Sequence, residues 1–132
     1  MMTEFLAIAL GGALGAILRW GITESVNKMT AGTFPYGTLV VNIVGSLLIG
    51  IAFVYMVERV QAGTFLSSAA IQSAVMVGLL GAFTTFSTFS LQTLQLLAEG
   101  RWLAGAAYIL GSVLLCLLAT GAGIGMARLQ SS

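Results

Sequence analysis

Gly81-Ala82-Phe83-Thr84-Thr85-Phe86-Ser87-Thr88-Phe89, residues 81–89, sits inside an apolar run that decides the fold. Residues 65–98 carry no charge, and as one straight helix they would extend about 50 Å at roughly 1.5 Å per residue. A bilayer core is only about 30 Å thick. The segment therefore tilts strongly, runs out into water, or breaks. Gly78 and Gly81, followed by Thr84, Thr85, Ser87, Thr88 and Ser90, mark the place for a break near residues 78–84. Backbone that leaves a helix at that depth is tolerated only where protein buries it or where it lines a wet cavity. The stretch thus predicts the functional centre of a membrane protein that binds or moves a small polar solute.

Composition points the same way. Hydrophobic residues make up 58% of the chain and charged ones 7%, with mean hydropathy +1.05, a balance outside any water-soluble globular class. The expected fold class is all-α integral membrane. A formal net charge of +1 leaves no basic face to neutralise phosphates, so nucleic acid is excluded as a partner. Cys116 is the one cysteine and there is no histidine. That removes an internal disulfide and the usual groups for a soft metal site or imidazole acid–base chemistry, and no enzyme is expected. Met1-Met2-Thr3-Glu4-Phe5 lacks the basic stretch of a cleaved signal peptide, so the first hydrophobic segment is expected to remain.

Four spans are expected in a single membrane domain, at about 4–25, 34–57, 66–98 with the central break, and 102–127. Residues 23–33 read as a polar loop, and Pro35 fits the first turn of the second helix. In the first span Arg19-Trp20 suits an interfacial anchor. Arg19 equally suits the mouth of an aqueous vestibule, where its charge would enrich anions. Ala7, Gly11 and Gly15 have the small-residue spacing of a helix-packing face. In the second span Thr38, Asn42, Ser46 and Gly50 fall on one helix face. An unpartnered amide in hydrocarbon costs several kcal/mol, so Asn42 either clasps another helix or meets a solute. Beyond the break, Phe86, Phe89 and Thr93 share one side of a helix while Thr85, Thr88 and Gln92 share another. In the fourth span Tyr108, Ser112, Cys116 and Thr120 recur every fourth residue as a second stripe of hydrogen-bonding groups.

Charge placement bears on assembly. With four spans, Arg59 and Arg128 fall on one side of the membrane against Lys28 and Arg101 on the other, with Arg19 leaning to the second. Lysine and arginine bias sets orientation, and here it is nearly absent. The sequence is therefore compatible with insertion both ways up, and an antiparallel homodimer whose two-fold axis lies in the membrane plane is expected.

Gly81 to Phe89, Arg19-Trp20, Gly37-Thr38, Asn42 with Gly45, and Glu99-Gly100-Arg101 together resemble the Fluc (CrcB) fluoride channels over essentially the whole chain. The resemblance implies a dual-topology dimer in the inner or plasma membrane of a prokaryote, with two antiparallel pathways exporting fluoride passively and so conferring fluoride resistance. It implies Phe86 and Phe89 as the aromatic residues whose ring edges meet fluoride, Asn42 as an amide donor with Thr38 one turn before it, and Tyr108 and Ser112 as members of a polar track. Ser87, Thr88 and Arg19 join that pathway. The resemblance also implies a central structural sodium ion held by the backbone carbonyls of Gly81 and Thr84. Gln92 departs from the pattern, standing where many members carry glutamate. The chemistry fits a small, strongly hydrated anion, which needs close neutral donors and positive ring edges to replace its water. Two other functions compete. A small multidrug-type proton-coupled exporter needs a titratable group inside the membrane, whereas Glu4, Glu24, Glu58 and Glu99 all lie at span ends. A non-transporting scaffold would explain the glycine faces but not the aligned polar stripes.

Overall fold

The computed structural model describes all residues, Met1–Ser132. Four helical stretches are long and apolar enough to cross a membrane: Met2–Met29, Tyr36–Glu58, Ala69–Ala98 and Trp102–Ser131. The first is the helix α1, Met2–Met29. Residues 23–29 are thus helical, not a loop, since Glu24 and Lys28 sit at the i, i+4 spacing that supports an exposed helical end. The second comprises α2, Tyr36–Phe53, prolonged by a π-helical turn over Val54–Glu58. The third begins with α3, Ala69–Gln72, widens into π-helix over Ser73–Leu79, and closes its first half with α4, Leu80–Phe83. Its second half is α5, Phe86–Ala98. The fourth is α6, Trp102–Ser131.

The break is real but lies later than the glycines suggest. Gly78 and Gly81 stay helical, and the chain leaves the helix at Thr84 (φ −89°, ψ 161°) and Thr85 (φ −151°, ψ 113°). Gly78 serves packing instead, while Gly81 stays exposed. A Cβ on Gly78 would press against the backbone of Ile8 and Gly12, and Cβ atoms on Gly11 and Gly15 would overlap the carbonyls of Ala74 and Leu79. The small-residue face of α1 is therefore spent on the first half of the third span, where backbones approach closely.

A second glycine contact joins α2 to α6. Gly50 faces the Thr120 carbonyl and Gly123 faces the Leu47 carbonyl, while the Thr120 hydroxyl donates to the Ser46 carbonyl at 3.0 Å. At the end of this pair Arg128 grips Glu58 through Nε (2.9 Å) and Nη2 (2.7 Å), which carries α6 past residue 127.

Burial is inverted relative to a soluble domain. Phe89, Leu96 and Tyr108 form the one small apolar cluster, while Leu10, Leu14, Ile17, Leu103, Leu110, Leu114, Leu117 and Leu118 point outward. Apolar surface of that extent is stable against lipid and not against water.

Candidate functional site

Asn42 organises the break. Its Nδ2 donates to the Thr85 carbonyl at 3.1 Å and its Oδ1 accepts from the Thr85 N–H at 2.8 Å. The amide so replaces the helical partners of an unwound peptide group, which could not stay bare at this depth. One Nδ2 hydrogen is left over for another acceptor. Gly45 makes room one turn further along α2, since a Cβ there would overlap the Thr84 methyl and stand 3.2 Å from the Phe83 ring.

Two carbonyls lose their donors as a result. In a continuous helix the Thr85 N–H would bond the Gly81 carbonyl, but it goes to Asn42. The Thr88 N–H would bond the Thr84 carbonyl, but it goes to the Thr85 hydroxyl at 3.2 Å, capping α5. Thr85 also meets the Thr88 hydroxyl at 2.9 Å and the Ser87 hydroxyl at 3.4 Å.

Aromatic rings extend from the break towards one end of the molecule. Phe86 and Phe89 lie 5.4 Å apart between centroids, Phe89 and Tyr108 5.1 Å, and Phe34 meets Tyr108 edge-on at 5.5 Å. Such tilted and edge contacts bring positive ring edges towards neighbouring negative faces. Phe89 is 8% exposed but Phe86 is 76% exposed, so Phe86 presents its ring outward. The buried Tyr108 hydroxyl donates to Gln92 Oε1 at 2.9 Å.

A cleft of about 340 Å³ opens beside the break, walled by Asn42, Ser46, Gly81, Thr84, Phe86, Phe89, Ser112 and Cys116. The Ser112 hydroxyl lies buried on this wall with no hydrogen-bond partner, although buried polar groups are nearly always paired. No fixed charge lines the cleft. A second cleft, of about 280 Å³, lies at the other end of α5 among Asn27, Thr30, Thr33, Gln92, Gln95 and Glu99.

Of the residues singled out in the sequence, Asn42, Phe86, Phe89, Ser112, Gly81 and Thr84 meet at the first cleft. Thr38 is buried one turn before Asn42 and Tyr108 stands behind Phe89; Ser87 and Thr88 lie in the first turn of α5. None of these four lines the cleft, nor does Arg19, which is half-buried on α1. Sequence reasoning passed over Thr85 as a site residue. The available signal was an asparagine that needed partners and a Thr-x-x-Thr spacing suited to capping a helix start. No cluster of three or more histidine, cysteine and carboxylate side chains suits a metal ion, so a cation here would rely on backbone, amide or hydroxyl oxygens.

A family model described as "CrcB-like protein, Camphor Resistance (CrcB)" matches residues 6–124. Among similar proteins, one named "Fluoride-specific ion channel FluC" from Hahella chejuensis is 50% identical over 122 residues, 92% of each chain. A protein of the same name from Opitutus terrae is 44% identical over 135 residues, covering 99% of this chain and 100% of that one. Another, from Geobacter sulfurreducens, is 41% identical over 127 residues, 96% and 98% of the two chains. A match extending over nearly the whole sequence, with an interrupted third span at its centre, means that the chain belongs to the CrcB-like family.

Proposed function

We propose that this protein is a fluoride-selective channel of a prokaryotic cell membrane and not an enzyme. The observation that carries the proposal is the cleft at the break, where an amide, an unpartnered hydroxyl and two phenylalanines converge without a fixed charge. Neutral donors can replace the water of a small hard anion yet release it again, which a buried lysine or arginine would hinder. Similar proteins bear the name of fluoride-specific channels. Asn42 offers its free N–H, Ser112 its hydroxyl, and Phe86 and Phe89 their ring edges. Thr38, Tyr108, Ser87 and Thr88 do not line this cleft and would continue the polar track beyond it, with Arg19 enriching anions at an entrance.

The cleft is open on one side, and Phe86 points out of the protomer. A second copy of opposite orientation would close it, so the working unit is an antiparallel homodimer with two pathways. Near-balanced charge at the two membrane faces supports that assembly. A structural sodium ion suits its centre. The Gly81 and Thr84 carbonyls have both lost their helical donors, and Gly81 is exposed. Oxygen ligands of this kind favour a hard cation, whose charge would raise the potential felt by a nearby anion. Hydrogen fluoride enters cells as a neutral acid and dissociates in a less acidic interior, so passive efflux of the trapped anion gives resistance.

Efflux from liposomes tests the function. Purified protein should release fluoride and retain chloride without a proton gradient. Absence of fluoride release, or equal release of chloride, would overturn it.

A further inference from the structure

The second cleft has no part in the break, yet it adjoins the same row of residues. Gln92 in its wall accepts the Tyr108 hydroxyl, and Tyr108 stacks on Phe89, which lines the first cleft. A single layer of side chains separates the two. The second cleft is walled largely by hydroxyls and amides, surroundings that suit an ion still carrying its water.

One charge lines this cleft, and an opposite one is bonded to a residue of its wall. Glu99 lines the cleft as the C-cap of α5. Helix ends of that polarity disfavour an anion, and no arginine or lysine pairs with Glu99, so helix stability does not account for a carboxylate there. Arg101 follows Gly100, whose φ of 77° is open to glycine at little cost. After that turn the Arg101 guanidinium donates to the hydroxyl of Thr33, a residue of the cleft wall.

We infer that Glu99 and Arg101 act as an opposed pair that sets the rate at which a hydrated anion enters this cleft, Arg101 drawing it in and Glu99 holding it back. The inference rests on the channel function proposed above and assigns its steering residues. Neither residue touches the dehydrated ion. Both act through the local potential at the cleft.

The test is initial fluoride efflux from liposomes at subsaturating fluoride, for the wild type, Glu99→Gln and Arg101→Gln. Each is measured near 0.01 M and near 1 M of an impermeant salt, where the screening length is about 30 Å and about 3 Å. One unit charge acting across several ångströms of water changes local anion occupancy about two- to threefold. Glu99→Gln should therefore run faster than the wild type by about that factor at low salt, Arg101→Gln slower, and all three should converge at high salt. Equal rates for Glu99→Gln and the wild type at low salt would overturn the pair, as would a difference that survives high salt. Should Arg101→Gln fail to assemble for want of its Thr33 contact, Arg101→Lys keeps the charge and should track the wild type. Wild-type flux separates the two levels of failure. If it is present and Glu99→Gln is unresponsive, only the steering pair falls; if it is absent at both salts, the channel falls and takes the pair with it.

Discussion

The side-chain amide of Asn42 bonds both main-chain polar groups of Thr85, accepting from its N–H and donating to its carbonyl. A residue on α2 thereby completes the backbone of the third span at the point where it has no helix of its own. Asn42 is thus the clasp of the break, and its second Nδ2 hydrogen is left over for another acceptor.

Asn42→Ala should accordingly lose more than a ligand. It strands the Thr85 N–H and carbonyl, each at about 1–3 kcal/mol when left buried and unpaired. Fluoride efflux should fall at least about tenfold, the equivalent of roughly 1.4 kcal/mol, and thermal stability in detergent should fall with it. Wild-type flux in this variant would remove Asn42 from the pathway, and unchanged stability would remove it as the clasp.

Phe86→Ile should separate function from stability. The Phe86 ring is 76% exposed in the protomer, so its loss costs little packing within one chain. Efflux should drop while the melting temperature stays near that of the wild type. Phe89→Ile should lower both, since Phe89 is 8% exposed and packed on Tyr108, and truncating a buried aromatic typically costs several kcal/mol.

Ser112→Ala should go the other way from Asn42→Ala. The Ser112 hydroxyl is buried without a partner, and an unsatisfied polar group costs about 1–3 kcal/mol. Removing it should leave stability unchanged or raised while flux falls. A melting temperature below the wild type would show that the hydroxyl is satisfied within the protomer and is not reserved for a solute.

Gly45→Ala tests whether the break has room to move. The added methyl group would collide with Thr84 and crowd Phe83, and overpacking of this kind typically costs about 1–3 kcal/mol. Thermal unfolding should show a loss of that order, and flux should fall with it because the Asn42–Thr85 bonds depend on the same approach. Unchanged stability and flux would show that Thr84 yields freely.

Much of this was legible in the sequence because hydrocarbon imposes severe rules. Residues 65–98 were apolar throughout and too long to cross as one straight helix, and with three further apolar stretches they make four crossings. The polar stripe through Asn42 and Ser46 was visible as a spacing of four. The site of unwinding was not, because Gly78 and Gly81 have two uses that composition does not separate. They end helices elsewhere, but here Gly78 accepts the backbone of α1 and the unwinding falls to threonines held from outside. Thr85 escaped notice for the same reason: its role depends on a partner 43 positions away in the chain. The loop assigned to residues 23–33 was an error of length, since α1 continues to Met29.

The unwound pair at Thr84 and Thr85 is also where the third span changes company. Before it, Leu79 and Ala82 lie against α1 at Gly15; after it, Phe89 and Gln92 belong to α6 through Tyr108. One membrane crossing is thus shared between two neighbourhoods, with two residues as the seam. Sequence drift on α1 should be answered by compensating change in the first half of that crossing and drift on α6 by the second, so a single helix carries two separate evolutionary ledgers.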